Sequence, residues 1–212
     1  MRADPATIPF AHHLDRLARR LAGPLPGPPT QLIMAPTPRS GAWPPISDLP
    51  VQDAAVLALF YPIHDEPTLV FIQRSPDIQH HPGQIAFPGG RLEPGETPEE
   101  AALRECHEEV GVDPASVRLL GRLSPLVIPH SGNRVTPLVG WTSHQPTWTL
   151  QVEEVAGVLE VPVSALSPTS VQTTEAQHGS LWMRVPYYGF QGHRIWGATA
   201  MMLSELLALY YS

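Results

Sequence analysis

Between Pro88 and Val112 the sequence spells out a complete local architecture, and no other stretch leaves the fold so few options. Pro88-Gly89-Gly90 forces a sharp change of direction, because glycine reaches backbone angles closed to other residues. A loop bearing Glu93 and Glu96 follows. Thr97-Pro98-Glu99-Glu100 then reads as a helix start, with threonine as N-cap, proline at the first helical position and a glutamate at the third to complete a capping box. Gly111 supplies the stop. Between them Ala102, Leu103, Cys106 and Val110 form an apolar stripe, leaving Glu105, Glu108 and Glu109 on or beside the exposed face.

These three glutamates occupy positions i, i+3 and i+4, so their carboxylates share one helix face. Stability does not select that pattern. Like charges at this spacing cost about 0.2 to 0.5 kcal/mol, and acids in a last turn oppose the helix dipole by about 0.3 to 1 kcal/mol. A hard divalent cation would reverse the balance. With Glu93 and Glu96 close in sequence the available donors are oxygens, which favours Mg2+, or Mn2+ as the alternative, over zinc or copper. Magnesium commonly shares its shell with substrate phosphates, so the expected chemistry is metal-assisted hydrolysis of a phosphate ester or anhydride, with a carboxylate accepting the proton of the attacking water. The competing reading has solvated helix glutamates paired with Arg104 and Arg91. It leaves unexplained why a glycine turn, a capped start, an arginine and three acids coincide.

The chain of 212 residues, 42% hydrophobic, can bury a sizeable core. It divides into residues 1–50, an N-terminal helix and Pro-rich connector, and residues 51–212, a single α+β domain that holds the chemistry. A net charge of -7 gives no footprint for nucleic acid or an anionic membrane surface. Cys106 is the sole cysteine, which excludes an intrachain disulfide and a cysteine-based zinc cluster. No apolar run reaches membrane-spanning length, and a cytoplasmic location fits. Phe10, Leu14, Leu17 and Leu21 follow helical spacing beside Arg16, Arg19 and Arg20, yet Asp4, Asp15 and the lack of serine argue against a transit peptide and for a helix docked on its own domain.

From Gly23 to Pro50 the prolines crowd together, and an extended connector is expected. Beyond it Ala54 to Tyr61, Thr68 to Arg74, Ile85 to Phe87, Val117 to Leu123, Val135 to Thr142 and Trp182 to Tyr187 read as strands, while Val161 to Leu166 and Gly197 to Tyr211 read as helical. The last helix is apolar nearly all round. It is expected to be buried in its own fold, with a homodimer interface as the alternative.

The segment resembles the Nudix hydrolases, whose signature G-x5-E-x7-R-E-U-x-E-E-x-G-U (U a bulky apolar residue) is matched at Gly90, Glu96, Arg104, Glu105, Glu108, Glu109, Gly111 and Val112. Cys106 replaces the usual aliphatic residue. The resemblance implies an α/β/α sandwich around a mixed β-sheet and hydrolysis of a nucleoside diphosphate linked to another group. It implies metal binding by Glu105, Glu108 and Glu109, orientation of the glutamates by Arg104, and support of loop and helix by Glu96.

Ahead of the signature, Arg74-Ser75 and Gly83 precede Phe87-Pro88-Gly89-Gly90 with the spacing of the coenzyme A pyrophosphatase branch, with Gln79 where that branch usually has arginine. Similarity to that branch implies a small-molecule nucleotide substrate, coenzyme A or an acyl derivative, cut to 4'-phosphopantetheine and adenosine 3',5'-bisphosphate. Substrate contacts are expected at Arg74, Ser75, Gly89 and Gly90, and catalytic roles at Glu108, Arg104 and Glu154. NADH, ADP-ribose, nucleoside triphosphates or a non-catalytic nucleotide-binding module are the alternatives. His80 and His81 read as solvated, Cys106 as core, and Trp182 and Trp196 as core packing rather than base-stacking surfaces.

Overall fold

In the computed structural model the described residues are 10–39, 51–78, 81–128, 132–178 and 181–212. The scaffold begins with β2 (Gln52–Ile63), a run so continuously apolar that it must be covered on both faces. Its alternation sorts the two sides. Ala55, Leu57, Leu59 and Tyr61 face one hydrophobic cluster, whereas Ala54, Ala58 and Phe60 face another.

Around β2 assembles a mixed sheet. β3 (Glu66–Arg74) pairs antiparallel with it through the hairpin at His64 and Asp65, both of which take positive φ. β8 (Asn133–Trp141) pairs parallel with it from Gln52 opposite Asn133 to Phe60 opposite Trp141. β4 (Ile85–Ala86) and β9 (Val155–Pro162) join β3, β5 (Gly89–Arg91) joins β2, and β6 (Arg118–Arg122) and β7 (Leu126–Ile128) join β8. A smaller antiparallel sheet holds β1 (Thr37–Pro38), β10 (Gln172–His178), β11 (Leu181–Phe190) and β12 (His193–Trp196).

Helices close both faces of the large sheet, giving the expected α/β/α sandwich of the α+β class. On one side lies α3 (Pro98–Val110), whose Ala101, Ala102, Cys106 and Val110 pack on Leu57, Leu59 and Ile72. On the other lie α1 (Phe10–Leu21) and α4 (Gly197–Tyr211), with Leu14 and Leu17 meeting the Leu203, Leu206 and Leu207 side of the core. The docked N-terminal helix is therefore real: Arg16 and Arg20 also donate to the carbonyls of Tyr210 and Leu209 at the end of α4. Burial within the fold accounts for the uniformly apolar α4.

Three readings need correction. The connector is not extended over residues 28–34: Pro28 and Pro29 open the short helix α2 (Pro28–Gln31), where their missing N–H groups cost nothing, and a 3-10 turn, Leu32–Met34, buries Met34 completely. Pro44, Pro45 and Pro50 lie outside the described residues. Val161 and Pro162 end a strand, opposite Leu69 and Thr68, before a 3-10 turn at Val163–Ala165, because pairing with β3 overrides a helical pattern only six residues long. Gly89 to Arg91, read only as a turn, is paired with Ala54 to Val56. Among the described residues no helix is long and apolar enough to cross a membrane.

Candidate active site

The helix boundaries of α3 follow from its ends. The Thr97 hydroxyl accepts from Glu100 N–H, the Glu100 carboxylate accepts from Thr97 N–H, and Gly111 takes the left-handed conformation at φ 78°. The helix is thereby fixed in length and angle. Its polar side faces β5 and the loop from Leu92 to Glu96.

Arg104 organises that side. Its Nε and Nη2 hold the two oxygens of Glu96 at 2.8 and 3.0 Å, its Nη1 reaches Glu105 at 2.9 Å and Glu108 at 3.0 Å, and Nη2 also donates to the Arg91 carbonyl. Glu96 in turn accepts the Glu93 N–H at 2.8 Å. Hydrogen bonding from Arg104 holds the Glu96 carboxyl below the usual range, and the same bonds push the guanidinium further up. Three acids thus converge on one cation, which clamps the loop to the helix. Glu93 itself is exposed and contributes only backbone.

Glu109 departs from the sequence reading. It is not on an exposed face but 1% exposed, turned under the sheet edge, where its carboxylate accepts the Gly89 N–H at 2.8 Å. Burial, with the charges of Glu105 and Glu154 behind it, pushes its pKa up to about 8. The 3.6-residue period places Glu109 beside buried Ala102, Cys106 and Val110, so the buried face of the helix is wider than its apolar residues alone mark. Glu105 is also driven up, mainly by desolvation, with Glu108 and Glu154 adding to the effect. Glu108 remains half exposed.

Gly90 lets Glu105 approach: a Cβ there would stand 2.4 Å from the Glu105 carboxylate. Arg74, at the end of β3 where the register slips, brings a guanidinium nitrogen to 3.9 Å from Glu109. Its side chain is only a quarter exposed, and its Nε is buried with no hydrogen-bond partner among the described residues. Ser75 is buried, its N–H bonded to the Glu154 carbonyl and its hydroxyl accepting from the Asp77 N–H. That geometry gives Ser75 a turn-forming role.

Glu154 arrives on a loop tied to the end of α3 by Thr149 N–H to Val110 and Gln151 N–H to Glu109. Those backbone ties are what set Glu154 beside Glu105 and Glu109, and backbone bonds leave no residue signature to read. Glu153 is exposed, His81 is exposed, His80 lies outside the described residues, and the buried Cys106 thiol is pushed up by desolvation, away from nucleophilic reactivity.

Among the described residues no three acidic, histidine or cysteine side chains stand together as a ready metal cage, since Glu108 turns to Arg104 and Glu109 to Gly89. The donor chemistry nevertheless fits a hard cation: carboxylate oxygens only, two of them on groups that burial and mutual repulsion hold away from easy ionisation.

The NUDIX domain profile matches residues 51–183. An uncharacterized Nudix hydrolase, NudL, of Yersinia enterocolitica is 38% identical over 143 residues, covering 66% of this chain and 73% of that protein. Its namesake in Pectobacterium atrosepticum is 36% identical over 171 residues, 76% of this chain and 86% of that one. A Caenorhabditis elegans Ap4A hydrolase binary complex aligns with a TM-score of 0.47 at 19% identity, over 54% of this chain and 82% of that one. Nudix hydrolases act on small-molecule nucleotide substrates and generally use divalent ions such as Mg2+. With the profile spanning more than half its length and the clamp of Arg104 on Glu96, Glu105 and Glu108 at its centre, the chain belongs to the Nudix hydrolase family.

Proposed function

We propose that this protein hydrolyses the pyrophosphate of coenzyme A or an acyl derivative, releasing 4'-phosphopantetheine and adenosine 3',5'-bisphosphate, and that it does so in the cytoplasm. The reaction belongs to residues 51–212, with residues 1–50 preceding them. The observation that carries the reading is Arg74. It belongs to the Arg74-Ser75 and Phe87-Pro88-Gly89-Gly90 pattern, and its side chain ends beside Glu109 with a buried Nε that has no hydrogen-bond partner among the described residues. A phosphate oxygen is the acceptor that such a donor lacks.

Glu105, Glu108 and Glu109 would hold Mg2+ or Mn2+, which when bound supplies charge neutralisation on the phosphate oxygens. Arg104 positions Glu105 and Glu108, and Glu96 keeps Arg104 in place. Arg74 grips a substrate phosphate, Gly90 leaves room for the Glu105 carboxylate beside it, and Gly89 lets the chain pass close against β2. Glu154, electrostatically coupled to Glu105 and Glu109, accepts the proton of the attacking water.

A panel of coenzyme A, acetyl-CoA, NADH, ADP-ribose and nucleoside triphosphates, incubated with purified protein and Mg2+ and resolved by chromatography, tests this. The expected products are phosphopantetheine and adenosine 3',5'-bisphosphate. Rapid cleavage of another nucleotide with coenzyme A untouched would sink the assignment.

A further inference from the structure

Outside the carboxylate site, one group of side chains has no structural or catalytic use yet assigned. Trp182 and Trp196, both expected in the core, are 50% and 36% exposed, and Trp196 stands directly across the ladder from Tyr187. Arg194, two residues earlier on β12, shares that face of the strand. Its cross-strand partner is Gly189, which has no side chain to occupy the space between them. The guanidinium carbon accordingly lies 5.3 Å from the centre of the Tyr187 ring. Among the described residues Arg194 makes no ion pair. On the far side of Tyr187, Gln172 accepts the phenolic proton at 2.8 Å and keeps its amide N–H groups as donors.

The opposite face of the same two strands carries Tyr188 and Ile195, both buried in the core, so Tyr187, Arg194 and Trp196 make an outer surface. Cross-strand aromatic packing contributes about 0.2 to 1 kcal/mol to a hairpin, which does not call for an unpaired arginine as well. Position matters too. β12 lies against β4, and β4 leads through Phe87 and Pro88 to Gly89, whose N–H is held by Glu109. The strand that carries Arg194 and Trp196 therefore lies beside the segment that leads into the carboxylate site.

We propose that Trp196, Tyr187 and Arg194 seat the adenosine half of the substrate, the aromatic faces stacking on the purine and the guanidinium taking the 3'-phosphate. In a chain of net charge -7, an unpaired cation on an exposed aromatic face is the complement of a base that carries an extra phosphate. The inference rests on the reading above that the substrate contains a phosphorylated adenosine.

Calorimetric titration of the full chain with adenosine 3',5'-bisphosphate, and with AMP as the ligand lacking the 3'-phosphate, tests the seat without requiring turnover. Stacking on an aromatic side chain accounts for about 1 to 3 kcal/mol per base. Trp196→Ala is therefore expected to weaken the bisphosphate by about tenfold or more, and Trp196→Phe to restore most of that loss. Arg194→Ala is expected to weaken the bisphosphate about tenfold while leaving AMP nearly unchanged, a selectivity that a merely structural role would not produce. The proposal is overturned if the wild type does not bind the bisphosphate, if either alanine variant binds it with wild-type affinity, or if Arg194→Ala weakens both ligands alike. Coenzyme A cleavage by the wild type is measured separately: bisphosphate binding without cleavage removes the hydrolytic assignment and leaves the seat standing.

Discussion

Glu109 is a side chain that is costly to the fold and on which the proposed metal site depends. Its carboxyl is buried and pushed up to about 8, with a single backbone N–H and a distant guanidinium as partners. Glu109→Gln keeps the acceptor for Gly89 and removes the charge, so the variant is expected to stay folded by circular dichroism while turnover falls by orders of magnitude. Glu108→Gln should do the same, and unchanged activity in both would remove the metal assignment. A readout independent of turnover is thermal unfolding in Mg2+. Saturation at about a hundredfold above Kd stabilises by about 2.7 kcal/mol, which the wild type should show and Glu109→Gln should lose. The paired glycines offer a second separation. At Gly90 an added Cβ meets only the end of the Glu105 side chain, whereas at Gly89 it meets the Ala55 carbonyl at 2.3 Å and the Val56 Cα at 2.5 Å. Gly90→Ala is expected to lower activity about tenfold or more by displacing Glu105, with little change in melting temperature. Gly89→Ala is expected to unfold at distinctly lower temperature.

At the scale of the element, α3 was legible because its signals are local: the cap, the proline, the box glutamate and the terminating glycine all act within four residues of the groups they satisfy. Thr97→Ala should cost about 1 kcal/mol in chemical denaturation, a loss in stability rather than in catalytic geometry, since Arg104 still clamps Glu96. The strands β2, β3, β8 and β11 were also legible, being long and apolar or β-branched. Others were not. β10, Gln172-Thr-Thr-Glu-Ala-Gln-His178, carries no apolar alternation and is a strand because β11 supplies its hydrogen-bond partners. β5 and β12 are too short for any periodicity, and each exists through its neighbour. Of Val155 to Pro162 only the last two residues carried a reading, as the start of a helix, and pairing with β3 makes the whole segment one strand.

At the scale of the whole molecule, residues 10–39 are part of the fold rather than an attachment. Glu205 of α4, fully buried, accepts from Gly27 N–H at 2.9 Å, the Gln31 amide at 2.8 Å, Ser124 N–H at 3.2 Å and the Ser124 hydroxyl at 2.7 Å. One carboxylate thus ties α2, the β6–β7 connection and the last helix together. Glu205→Ala would strand those donors, and a loss on the order of 3 kcal/mol is expected by denaturation, with faster proteolytic cleavage of residues 22–39. Nothing in the sequence marks Glu205, an isolated acid in an apolar helix, because its partners are about 80 to 178 positions away. By itself the sequence determined helix α3 through its local cap and stop signals, the acids and arginine of its polar side as a motif, and the flanking strands through their apolar runs. Tertiary structure alone decided that Glu109 is buried, that Glu154 stands beside it, that residues 28–34 turn helical and that Trp196 faces outward. Each of these follows from where distant segments meet, and side-chain period and spacing do not encode that.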